Sequence, residues 1–125
     1  MRRDEIMQVS KDFGKAVRTA HAAGFDCVEV HAGHGYLISQ FLSPYTNHRR
    51  DEYGGSLDNR MRFMRMCLEE VMNAAAATGT SVLVKHNMYD GFKGGIEIPE
   101  SIEIAREIER WKVNGIVLSG GFVSK

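Results

Sequence analysis

Three short runs of strand-forming residues, each preceded by a stretch of helical periodicity, constrain this chain more than any other feature. Ile6, Val9, Phe13, Val17 and Ala20 recur at steps of three and four, which predicts one face of a helix. Gly24 follows as its stop, because glycine enters the left-handed region without a Cβ clash. Residues 25–31, Phe-Asp-Cys-Val-Glu-Val-His, read as a first strand. Ser56 is the expected N-cap of the next long helix, with Met61, Met64, Leu68, Val71 and Ala75 on its inward face. Residues 81–85 form the second strand. Pro99 is expected at the first position of another helix, with Ile102, Ala105, Ile108 and Trp111 on its face and Asn114-Gly115 closing it. Residues 116–119 form the third strand. The order α-β-α-β-α-β predicts an α/β protein whose helices cross over between parallel strands.

Between these elements, residues 33–56 read as a long loop with one or two helical turns over 36–42. Asp90-Gly91 and Gly94-Gly95 mark a second, turn-rich loop. No Gly-x-Gly-x-x-Gly follows any strand and no Walker-type glycine loop occurs, which counts against a dinucleotide-binding doubly wound domain.

Composition narrows the partners. The 125 residues carry 16 basic and 16 acidic side chains, so no charge excess points to nucleic acid or an anionic membrane. No apolar run approaches the ~18 residues of a membrane span. The two cysteines, Cys27 and Cys67, are far apart and form no Cys-x-x-Cys pattern, which argues against a disulfide framework or zinc ribbon. A cytoplasmic, single-domain chain spanning 1–125 is the expectation.

Strand phase supplies the first pointer to chemistry. Side chains alternate faces along a strand. Val28 and Val30, Val82 and Val84, and Ile116 and Leu118 are the helix-facing pairs. The opposite phase ends each strand on a polar side chain, His31, Lys85 and Ser119. An α/β barrel sets its reactive groups at that edge and on that face.

His31-Ala32-Gly33-His34-Gly35-Tyr36 is the strongest constellation. Two imidazoles three residues apart can converge on one electronegative atom and stabilise charge developing there, and a phenol is a reasonable general acid. The same spacing also suits part of a metal site, although no third ligand stands at a fixed distance. A pair of loop histidines capping backbone carbonyls is the third reading. Spacing leaves all three open.

Residues 24–37, Gly-Phe-Asp-Cys-Val-Glu-Val-His-Ala-Gly-His-Gly-Tyr-Leu, continue into Gln40-Phe41-Leu42-Ser43-Pro44. Residues 47–60, Asn-His-Arg-Arg-Asp-Glu-Tyr-Gly-Gly-Ser-Leu-Asp-Asn-Arg, follow, with Arg62-Phe63 after them. Both stretches resemble the Old Yellow Enzyme family of NADH:flavin oxidoreductases. The resemblance implies a (β/α)8 TIM barrel carrying FMN, of which this chain would be an internal segment of about three βα units, strands four to six of eight. It implies that His31 and His34 bind the substrate's activating oxygen and that Tyr36 donates a proton to the substrate carbon. Lys85 falls where the family places a cation, usually arginine, beside flavin N1 and O2. NADH or NADPH would be the reductant, and a small molecule with an activated double bond, such as an enone, the substrate. Arg49, Asp51, Tyr53, Gly54, Gly55 and Arg60 look like a turn and ion-pair lattice that fixes the loop and starts the next helix.

A complete barrel needs roughly 250 residues, and the chain stops just after its third strand, at residues 120–125. The expectation is therefore a fragment with two open sheet edges, marginally stable, and weak in holding FMN by itself. A non-catalytic truncated remnant of such a barrel is the alternative function.

Overall fold

The computed structural model describes residues 1–123; Ser124 and Lys125 lie outside the described residues. The elements are α1 (Arg3–Ala22), β1 (Cys27–Ala32), α2 (Leu37–Leu42), α3 (Leu57–Thr78), β2 (Ser81–Asn87), α4 (Ile98–Arg110) and β3 (Gly115–Ser119). The strands form one parallel sheet in the order β1-β2-β3. Each successive strand is thus reached by a helical crossover, as the alternation predicts.

The helix boundaries follow local chemistry. The Arg2 N–H donates to the Glu5 carboxylate (2.6 Å) at the start of α1. At its end Gly24 has φ +92, and the Phe25 N–H returns to the Ala20 carbonyl. Ser56 caps α3 by accepting from the Asn59 N–H (3.3 Å). The expected turns after Tyr36 are α2.

Three local expectations need correction. The first strand begins at Cys27 rather than Phe25, because Phe25 still closes the turn that ends α1. Pro99 is the second helical residue of α4, after Ile98. That helix ends at Arg110, where Lys112 turns the chain with φ +56; Gly115 belongs to β3.

α1 and α3 pack on each other and on one face of the sheet. Phe63, Met64, Leu68, Val82 and Val84 are fully buried there, and each large apolar side chain contributes about 1.5–3 kcal/mol. The helix-facing phase of β1 and β2 is as expected, with Val30, Val82 and Val84 inside. α4 differs. Its core-facing side chains are Ser101, Ile104 and Ile108, whereas Ile102 is 47% exposed. Ile102 and Ala105 instead line an open apolar groove with Ile98, Val113 and Leu118. Leu118, in the helix-facing phase, is 61% exposed because α4 packs on β2 and leaves the groove beside β3 open. Among the described residues no helix is long and apolar enough to cross a membrane.

Candidate functional site

The register of the sheet brings the polar strand ends together. His31 stands opposite Lys85, Lys85 opposite Val117, and Asn87 opposite Ser119. Glu29, His31, Lys85, Asn87 and Ser119 therefore share the face turned away from the helices. Lys85 is not a free cation: its Nζ lies 2.7 Å from the Glu29 carboxylate. An ammonium has three N–H donors, so the pair leaves two for another acceptor.

Beyond β1 the chain reverses within four residues. The Tyr36 N–H donates to the Gly33 carbonyl (3.2 Å), with positive φ at both His34 (+58) and Gly35 (+80). Two positive φ values are the mark of a type I′ turn. His34 is a non-glycine residue in the left-handed region, a conformation that costs roughly 1–2 kcal/mol and has to be held by its surroundings.

This turn gathers the three predicted side chains around His31. The His31 and His34 ring centroids are 4.9 Å apart, and those of His31 and Tyr36 are 4.8 Å apart, both edge to face. The Gly33 N–H donates to Nδ1 of His31 (3.2 Å). Nδ1 is thus an acceptor, and the ring proton belongs on Nε2, which is left to donate elsewhere. Burial, then the neighbouring His34 and Lys85, hold the His31 pKa below its ordinary value, so the ring is neutral at pH 7. Tyr36 is half exposed and caps α2.

His34 is held by contacts within the chain. Its Nε2 lies 2.5 Å from the Ser119 Oγ, so the imidazole reaches across the sheet to the end of β3. Its backbone N–H donates to Oδ1 of Asn87 (3.1 Å). Asn87 is fully buried, and its Nδ2 donates to Asp90 (3.0 Å) and to the Gly121 carbonyl (2.9 Å). Asp90, also buried, accepts from Ser43 Oγ (2.7 Å) and the Ile96 N–H (2.7 Å). Asn87 and Asp90 had no place among the sequence-derived site residues. The usable signal was phase: two residues past Lys85, position 87 still faces the site once the strand is extended.

The second motif is the expected lattice. Arg49 grips Asp51 through Nε (3.0 Å) and Nη2 (2.6 Å), which holds the Asp51 carboxyl below its usual pKa. Arg60 binds the Gly55 carbonyl, the Leu42 carbonyl and Glu100. Among the described residues, no group of three His, Cys, Asp or Glu side chains is arranged to hold a metal ion.

Fold and site together define a segment of an α/β protein with a histidine–tyrosine cluster at the carboxyl edge of a parallel sheet. The model of the NADH:flavin oxidoreductase / NADH oxidase family matches residues 1–121, and the chain belongs to that family. An NADPH dehydrogenase of Bacillus subtilis is 38% identical over 121 residues, covering 97% of this chain and 35% of its own length. Among solved structures, a 2-naphthoyl-CoA reductase in complex with 2-naphthoyl-CoA superposes with a TM-score of 0.94 at 32% identity, covering 100% of this chain and 19% of that one. The Old Yellow Enzyme homologue of Zymomonas mobilis superposes with a TM-score of 0.84 at 32% identity, covering 98% of this chain and 35% of that one. The chain spans about a third of the length of the curated relatives it matches.

Proposed function

We propose that the chain is an internal segment, strands four to six of eight, of a (β/α)8-barrel FMN-dependent NAD(P)H oxidoreductase. Its substrate is a small molecule with an activated double bond, of the enone type, and its setting is the cytoplasm. The observation that carries this reading is the gathering of His31, His34 and Tyr36 at one strand end, opposite Lys85 in register. Family membership and the two related structures support it.

The residues present fit one part of the cofactor. Lys85, with two ammonium donors left beside Glu29, would hold the pyrimidine edge of the ring. The FMN phosphate would be held by the remainder of the barrel. When bound, FMN would supply the redox chemistry, a hydride transfer from NAD(P)H to the substrate.

The chain's own residues do the rest. His31, neutral and with Nε2–H free, donates to the substrate's activating oxygen and stabilises the negative charge that grows there. His34 adds its imidazole beside His31. Tyr36 Oη hands a proton to the carbanion-like carbon and recovers one from water, which its half-exposed position permits.

The test is the absorbance spectrum of the protein carrying this segment, followed by NAD(P)H and then an enone. Flavin bands that bleach with the nucleotide and return with the enone are expected. A colourless protein that stays so with added FMN would overturn the reading in favour of a non-catalytic remnant. The 125-residue chain alone is expected to bind FMN weakly, and tight stoichiometric binding would contradict that.

A further inference from the structure

We propose that Asn87, backed by Asp90, is the positioning residue that locks His34 in its left-handed conformation and so aims its imidazole at the site. The proposal rests on the reading above only in giving His34 a function; the lock itself is a matter of geometry.

Four observations carry it. First, His34 has φ +58 without being glycine, so some group has to hold it there. The two backbone groups of His34 are both engaged: its N–H donates to Asn87 Oδ1 (3.1 Å) and its carbonyl accepts from the Val123 N–H (3.1 Å). Second, the orientation of the Asn87 amide is decided by its partners. Nδ2 faces two groups that can only accept, the Asp90 carboxylate and the Gly121 carbonyl, while Oδ1 faces a group that can only donate. Third, the chain makes room for this contact. A Cβ on Gly33 would lie 2.6 Å from Asn87 Oδ1, closer than real atoms approach. Fourth, Asn87 itself is enclosed and anchored. It is fully buried, and its anchor Asp90 is fixed by Ser43 at the end of α2 and by the Ile96 N–H.

One side chain thus joins the turn after β1, the end of β2, the loop before α4 and the segment after β3. Asn87 does not reach the histidine ring and is not a catalytic residue. It sets the backbone from which the ring projects toward Ser119. An error of an ångström in a group that stabilises developing charge costs roughly 10²-fold in rate, which is why a lock of this kind matters.

The experiment measures the His34 amide and ring directly in the protein, with kinetics beside them. In the unsubstituted protein the His34 amide proton should exchange far more slowly than an open turn; exchange at the free-peptide rate in the folded protein would overturn the proposal without any variant. In N87A that protection should fall roughly tenfold or more, and the His34 ring nitrogen signals should move toward those of a free imidazole. S119A separates the contributions. It should release the ring while the amide stays protected; loss of amide protection in S119A to the same extent as in N87A would assign the lock to Ser119 and overturn the proposal. With an enone, kcat/KM of N87A should fall between tenfold and roughly 10²-fold. Should H34A reduce the enone at the unsubstituted rate while N87A still frees the His34 amide, the functional reading fails and the lock stands. Unchanged exchange and ring signals in folded N87A would sink the lock whatever the kinetics.

Discussion

Nε2 of His86 lies 2.9 Å from Oγ of Ser101, and Ser101 Oγ in turn donates to the Asn87 carbonyl (2.9 Å). The serine proton is therefore committed, so the histidine must be the donor to it, with its own proton on Nε2. Among the described residues, Nδ1 of the same ring is buried with no partner, on the helix-facing side of β2. A second proton there would be a buried, unpaired charge, and burial depresses the His86 pKa to about 4.

The pH dependence of stability follows from that depression. The free imidazole titrates near 6.5, so between 6.5 and about 4 the unfolded chain binds a proton that the folded one refuses. Stability is full above pH 6.5 and is lost as pH falls through this window, by on the order of 3 kcal/mol. Urea midpoints at pH 7 and pH 4.5 should differ, and H86F should remove most of the difference. An equal drop in H86F would mean that other groups carry the effect.

His31 should report its charged neighbours. Its pKa is lowered first by burial, then by His34 and Lys85, and is raised by Glu29. K85M should therefore shift the His31 titration upward, and E29Q should shift it downward, as followed by NMR of the ring Cε1–H. Shifts of the same sign in both variants would contradict the ion-pair arrangement.

Arg60 should be sensitive even to a conservative change. It is 4% exposed and serves three acceptors on three segments, the Gly55 carbonyl, the Leu42 carbonyl and Glu100. R60A should destabilise by about 3 kcal/mol, since it leaves buried acceptors without donors. R60K should recover less than half of that, because an ammonium cannot reproduce the planar fork. Thermal unfolding of the two variants decides it, and full recovery by lysine would show that charge alone matters.

Tyr36 should carry the proton step of the proposed reaction. Y36F keeps the ring packed on His31 and removes only the hydroxyl. Single-turnover reduction of an enone by the pre-reduced enzyme should slow by roughly 10²-fold. An unaltered rate would move the proton donor elsewhere, with solvent water the next candidate.

Much of the architecture was legible because it is written in local periodicity. The valines of β1 and β2, the methionine face of α3 and the Ser56 cap depend on neighbours within a few residues. The α4 face was read correctly at Ile108 and Trp111 but not at Ile102 and Ala105, for an instructive reason. Two apolar stripes run along that helix, Ile104 with Ile108 and Ile102 with Ala105, and periodicity alone does not say which one meets the core. The ends of α4 and β1 slipped by a residue or more because Lys112 took a positive φ and Phe25 closed a turn, and neither event has a distinctive residue type behind it.

For the site, the sequence alone determined the family resemblance, the element order, the strand phase and the grouping of His31, His34 and Tyr36 on one turn. Those are properties of residues within a few positions of one another. Only the tertiary structure decided that His34 spends its Nε2 on Ser119, 85 residues away, and its backbone N–H on Asn87, 53 residues away. It likewise decided that Lys85 is paired with Glu29 and that His86 is buried with a nitrogen that has no partner among the described residues. Such contacts depend on which residue of one strand stands opposite which residue of the next. A shift of register by a single residue would turn every one of these side chains to the other face of the sheet.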